Sequence, residues 1–134
     1  MKFLNGNQEY FDQMVKHAMN CLPEEACGLI FGRNNTISRI VFVENELHSP
    51  MHFRMDPQQQ FDALVWGEEN EMQLIGIFHS HPEGPSHPSI TDMIQFFYPG
   101  SLMVILSFIG NEWQWKAFEI EDEKYKEILI QICD

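Results

Sequence analysis

Over residues 8–22 apolar side chains recur at Phe11, Met14, Val15, Ala18, Met19 and Leu22, the spacing of a helix with one buried face. Pro23 ends it. Residues 27–32 read as a buried strand, and Thr36–Val43, rich in β-branched residues after an Asn34-Asn35 turn, reads as a second. Asp56-Pro57 opens another helix, with Asp56 as N-cap, Gln59 able to reach back as in a capping box, and Gly67 as the expected stop. Gln73–His81 is apolar on both faces, which predicts a central strand. Ser89 is expected to open a third helix running to Pro99-Gly100. Residues 102–108 and 113–120 predict two strands joined by a Gly110-Asn111 turn. Tyr125, Ile128, Leu129 and Ile132 fall at helical spacing and predict a last amphipathic helix. Helices mixed with more than four strands indicate an α/β or α+β sheet domain.

With 134 residues, no repeat and no linker, residues 1–134 are expected to form a single domain. The hydrophobic content of 44%, with 11 Phe and 3 Trp, is enough for a real core. Twenty acidic residues against eight basic ones give a formal charge of -12. That surface repels phosphate backbones and anionic membranes, so neither nucleic acid nor a membrane is an expected partner. Three cysteines, Cys21, Cys27 and Cys133, contain no Cys-x-x-Cys pair and imply neither a disulfide framework nor a thiolate zinc site. The N-terminus turns polar too soon for a signal peptide, no apolar run matches a membrane span, and the cytoplasm is the expected compartment.

Candidate chemistry gathers at Leu74-Ile75-Gly76-Ile77-Phe78-His79-Ser80-His81-Pro82. Residues two apart on a strand share a face, so His79 and His81 project together from Cα atoms roughly 6.6 Å apart. Two imidazoles need a third ligand, and a catalytic zinc keeps its fourth position open. Asp92 is the candidate. The proline-rich loop 82–88 can carry the start of the next helix back to the strand end, and with Ser89 as N-cap, Asp92 falls in the first turn. Each piece alone has a plain structural reading: polar decoration for the histidines, a helix cap for Ser89 and Asp92, and one acid among twenty for Glu25. The joint spacing is what points to a metal.

Glu25, His79-Ser80-His81, seven residues, Ser89, two residues and Asp92 together resemble the JAMM/MPN (Mov34) metallopeptidases, over about the first 120 residues. Pro23-Glu24-Glu25-Ala26-Cys27-Gly28 and Tyr98-Pro99-Gly100 are similar to the family's flanking segments. The resemblance implies an MPN (cytidine-deaminase-like) domain, with a mixed β-sheet flanked by helices. It implies Zn2+ held by His79, His81 and Asp92, with Glu25 rather than Glu24 as general base and then acid. It also implies Ser89 as the oxyanion donor, which stands in conflict with Ser89 capping the helix through the same hydroxyl. Ser80 is expected to face away from the metal, Cys27 to fill the core, and His87 to be solvated. His17, His48 and His52 have no partner at ligand spacing.

Short bacterial relatives of this type imply a substrate, a ubiquitin-like sulfur-carrier protein cut after its C-terminal Gly-Gly. A diglycine tail threads a narrow groove as an extended strand because it lacks side chains. Residues 45–56 are similar to the segment beside that groove. Two alternatives remain: a non-catalytic scaffold or binding module, and a zinc peptidase acting on cell-wall peptides.

Overall fold

Asn7 accepts the N–H of Glu9 and starts the first helix, α1 (Gln8–Cys21), immediately after a short strand, β1 (Phe3–Gly6). In this computed structural model, which describes residues 2–133, the chain continues through β2 (Cys27–Arg33), β3 (Thr36–Val43), α2 (Pro57–Glu69) and β4 (Gln73–His81). It ends with α3 (Ile90–Ile94), β5 (Leu102–Ile109), β6 (Glu112–Glu121) and β7 (Lys124–Ile132). The strands form one mixed sheet in the order β1-β3-β2-β4-β5-β6-β7, closed by β1 pairing parallel to both β7 and β3. β4 and β5 are also parallel, and the remaining neighbours are antiparallel.

Strand alternation sorts the core into two sides. Leu4, Ile30, Ile37, Phe78, Val104, Ala117 and Ile128 come one from each strand and bury Phe11, Met14 and Ala18 of α1 between them. Cys27, Leu29, Phe31 and Ile77 point the other way and pack under Ala63 of α2. β4 lies between β2 and β5 as expected of a strand apolar on both faces. His79 shares the α2 side with Ile77, whereas Phe78 points toward α1.

Four local expectations are corrected. The final segment is a strand, not a helix: Asp122 and Glu123 take positive φ values of 52° and 58° and turn the chain straight back onto β6. Ile128 and Ile130 then face the core alternately, and pairing with β1 outweighs the helical spacing. The third helix stops at Ile94, because Phe96 and Tyr98 turn inward onto the core and Tyr98 precedes a proline. Gly67 does not end α2; it sits inside the helix, where a Cβ would meet Phe31 Cε1 at 2.5 Å, and Asn70 is the C-cap. Asp56 caps α2 by accepting the Gln59 N–H, but the Gln59 side chain accepts the N–H of Glu44 instead of reaching back. β1 has no counterpart among the expected elements, being too short to show a pattern. The Gly110-Asn111 hairpin is as expected, with φ of 61° and 63° suited to a two-residue turn.

Candidate metal centre

The last residues of β4 carry both histidines into the interior, His79 with no exposure and His81 with 6%. Their Nε2 atoms stand 3.2 Å apart. Asp92 Oδ2 lies 3.1 Å from the first and 3.0 Å from the second. Asp92 is brought there by a reciprocal cap: its N–H donates to Ser89 Oγ and its Oδ2 accepts the Ser89 N–H, both at 2.9 Å.

This convergence has the donor set of a cation site. The Pro85 carbonyl, which can only accept, lies 2.7 Å from His81 Nδ1 and so takes its proton. A neutral His81 ring then offers only a lone pair at Nε2, facing another imidazole nitrogen and a carboxylate oxygen. Acceptors pressed together in a buried pocket need a proton or a metal between them. Tetrahedral zinc with bonds of about 2.0–2.1 Å spaces neighbouring ligand atoms about 3.3–3.4 Å apart. The observed 3.0–3.2 Å is slightly shorter than that spacing, so a small outward movement of the three side chains accommodates the ion.

Glu25 joins the cluster from the turn between α1 and β2. A carboxylate oxygen of Glu25 and the ring nitrogens of both histidines lie within 4.8 Å of one another. Glu25 is 2% exposed, and its Oε1 has no hydrogen-bond partner among the described residues. Burial pushes its carboxyl up from 4.5 to about 8; His81 pulls it down and Asp92 adds to the rise. Burial also pushes Asp92 up, yet in the metal-free protein hydrogen bonds from His79 and His81, when their Nε2 atoms carry protons, outweigh this and hold it well below the carboxylate range. Burial lowers His79. It also lowers His81, but there the Asp92 and Pro85 hydrogen bonds win and raise it.

Ser80 turns to the opposite face from the histidines, as strand alternation requires. Its Oγ accepts the Ala26 N–H at 2.7 Å, and its N–H donates to the Ala26 carbonyl at 3.0 Å. The expected conflict at Ser89 disappears. Its hydroxyl caps α3 with a lone pair, and the hydroxyl proton stays free to donate elsewhere.

The other candidates lie outside the cluster. Glu24 turns to His48 Nδ1 at 3.0 Å, His17 stacks on Phe42, and His87 is exposed as expected, its ring stacked on Tyr125 at 5.7 Å. Cys27 is buried, and that burial pushes its thiol up to about 12, an inert core residue. The sequence marked residues 45–56 only as a segment beside a groove, with no individual contact for Phe53, which stacks on the His79 ring at 4.5 Å, or for Asn45, and it carried no signal for the Pro85 carbonyl. Their roles depend on folding distant segments together. A cavity of about 620 Å³ borders Asp92, with Leu47, Phe53, Met55, Ile77 and Phe96 in its wall.

Residues 7–121 match the family described as prokaryotic homologs of the JAB domain. A desampylase of Pyrococcus furiosus is 41% identical over 127 residues, covering 93% of this chain and 87% of that protein. A CysO-cysteine peptidase of Mycobacterium tuberculosis is 30% identical over 124 residues, covering 90% and 85%. The solution structure of a Desulfitobacterium hafniense protein superposes with a TM-score of 0.87 at 31% identity, covering 99% of this chain and 94% of that one.

Proposed function

The chain belongs to the family of prokaryotic homologs of the JAB domain, and from that premise we propose that it is a zinc-dependent isopeptidase or peptidase acting on ubiquitin-like carrier conjugates. The bond cut is the amide after the carrier's C-terminal Gly-Gly. Relatives named as a desampylase and a CysO-cysteine peptidase support that substrate class. The observation that carries the reading is the meeting of His79 Nε2, His81 Nε2 and Asp92 Oδ2 within 3.2 Å, beside a buried Glu25 carboxyl oxygen that lacks a partner.

In this reading His79, His81 and Asp92 hold the zinc. A zinc ion there supplies a Lewis acid that polarises the scissile carbonyl and lowers the pKa of water. Glu25 takes the proton of the attacking water and returns it to the leaving amine. Its Oε1, buried and without a hydrogen-bond partner among the described residues, is free to hold that proton between the two steps. The free hydroxyl proton of Ser89 is the donor to the carbonyl oxygen as it becomes negative. The Pro85 carbonyl orients the His81 ring through its Nδ1, and Phe53 packs on the face of the His79 ring.

We place this activity in the cytoplasm and in one domain spanning residues 1–134. The unpaired state of Cys21, Cys27 and Cys133 accords with a reducing compartment. Among the described residues no helix is long and apolar enough to cross a membrane.

The test is incubation with a Gly-Gly-tailed carrier fused to a short extension, read by mass spectrometry. Cleavage after the second glycine is expected, with loss on chelation and return on adding zinc. An intact fusion in the presence of zinc-loaded protein overturns the reading.

A further inference from the structure

Asn45 follows β3 at the point where the chain leaves the sheet, and it is 6% exposed. Its carboxamide is fully used. Nδ2 donates to the Glu25 carbonyl at 3.1 Å and to the His52 carbonyl at 3.0 Å. Oδ1 accepts the N–H of Leu47 and of Arg54, both at 3.1 Å. Carbonyls only accept and main-chain N–H groups only donate, so these four partners fix the orientation of the amide.

The second main-chain group of Glu25 goes to the same segment: its N–H donates to the Ser49 carbonyl at 2.8 Å. Both polar main-chain groups of Glu25 therefore end on residues 45–54. That segment also supplies Phe53, stacked on His79, and with Leu47 and Arg54 it forms part of the cavity wall beside Asp92. One short stretch of chain touches the carboxyl-bearing residue, a metal-facing ring and the space open to a ligand.

Resting on the reading of Glu25 as the base, we infer that Asn45 is a positioning residue that makes Glu25 and residues 45–54 one mechanical unit. A substrate seated against this segment then sets where the Glu25 carboxylate stands. The leverage is large, because a misplacement of about 1 Å costs a reacting group on the order of a hundredfold in rate.

Amide hydrogen exchange on the zinc-loaded wild-type protein tests the unit directly. The N–H groups of Glu25, Leu47 and Arg54 are expected to open together, with one shared opening free energy. In Asn45→Asp, which keeps the shape and both acceptor contacts but loses the two donors, the Glu25 amide exchanges faster even though the Asn45 side chain does not touch it. For the carrier fusion, kcat falls about ten- to a hundredfold while KM and zinc content stay at wild-type values. Should Asn45→Asp fail to fold, Asn45→Ser is read in the same way, and the wild-type exchange pattern decides on its own. Separate opening of Glu25 from Leu47 and Arg54 overturns the inference. So does a folded variant with wild-type kcat per bound zinc. If the wild-type protein leaves the fusion uncut, the proposed function fails, and exchange alone judges the Asn45 unit.

Discussion

The Ser80 hydroxyl accepts the Ala26 N–H at 2.7 Å, tying the strand that carries both histidines to the residue following Glu25. Ser80 stands between His79 and His81 in sequence and points to the opposite face of β4, so this bond sets the register between Glu25 and the two imidazoles. Both groups are buried, with Ser80 at no exposure and Ala26 at 1%. Ser80→Ala strands the Ala26 N–H without a partner, at a cost of about 1–3 kcal/mol. We expect a lower melting temperature with bound zinc retained, measured by calorimetry and metal analysis. An unchanged melting temperature removes Ser80 from this role.

Removal of a ligand separates metal binding from folding. His81→Ala is expected to lose both zinc and turnover. Chelation of the wild-type protein is expected to lower its melting temperature, because an ion that binds only the folded state stabilises it by mass action. In His81→Ala the chelator should leave the melting temperature unchanged. A stoichiometric, tightly held ion in His81→Ala places the metal elsewhere.

Glu25→Gln keeps the shape of the side chain and removes its capacity to take a proton. General acid–base groups contribute about a hundred- to ten-thousandfold, and a drop in kcat of that size is expected with zinc content unchanged. Steady-state kinetics beside metal analysis measure both. Wild-type turnover in Glu25→Gln assigns the proton transfers to another group.

The parts of this site that were legible in the sequence are those set by short-range geometry. Strand alternation puts His79 and His81 on one side, and the Ser89 cap puts Asp92 in the first turn of its helix. Both follow from spacing alone, and both are observed. What could not be read depends on distant segments meeting. Asn45 and Phe53 reach Glu25 and His79 only after β3 pairs with β2 and β2 with β4. The strand β7 was hidden because its turn uses Asp122 and Glu123 at positive φ, where Asn or Gly is the usual signal. The spacing of Tyr125, Ile128, Leu129 and Ile132 suits a helix, and only the vacant position beside β1 selects a strand.

The buried Glu25 carboxyl also links stability to pH in the metal-free protein. Folding raises it from 4.5 to about 8, chiefly by burial, so between those values the folded state binds more protons than the unfolded chain. Stability must then fall as pH rises through that window and level off above it, by about 1.4 kcal/mol for each unit separating the two values. The Asp92 carboxyl is held low and loses its contribution in acid, but it is present equally in wild type and in Glu25→Gln. The difference between those two proteins therefore reports Glu25 together with the part of the His81 rise that the Glu25 charge causes, and both lower the wild type's stability as pH rises. Denaturant titrations of both metal-free proteins at pH 5 and pH 9 are expected to show the wild type losing more stability on the move to pH 9. Equal losses mean that the carboxyl meets enough solvent or charge to ionise freely without the metal. Added zinc should shrink the difference, since a cation beside Glu25 favours its charged form and lowers its proton affinity.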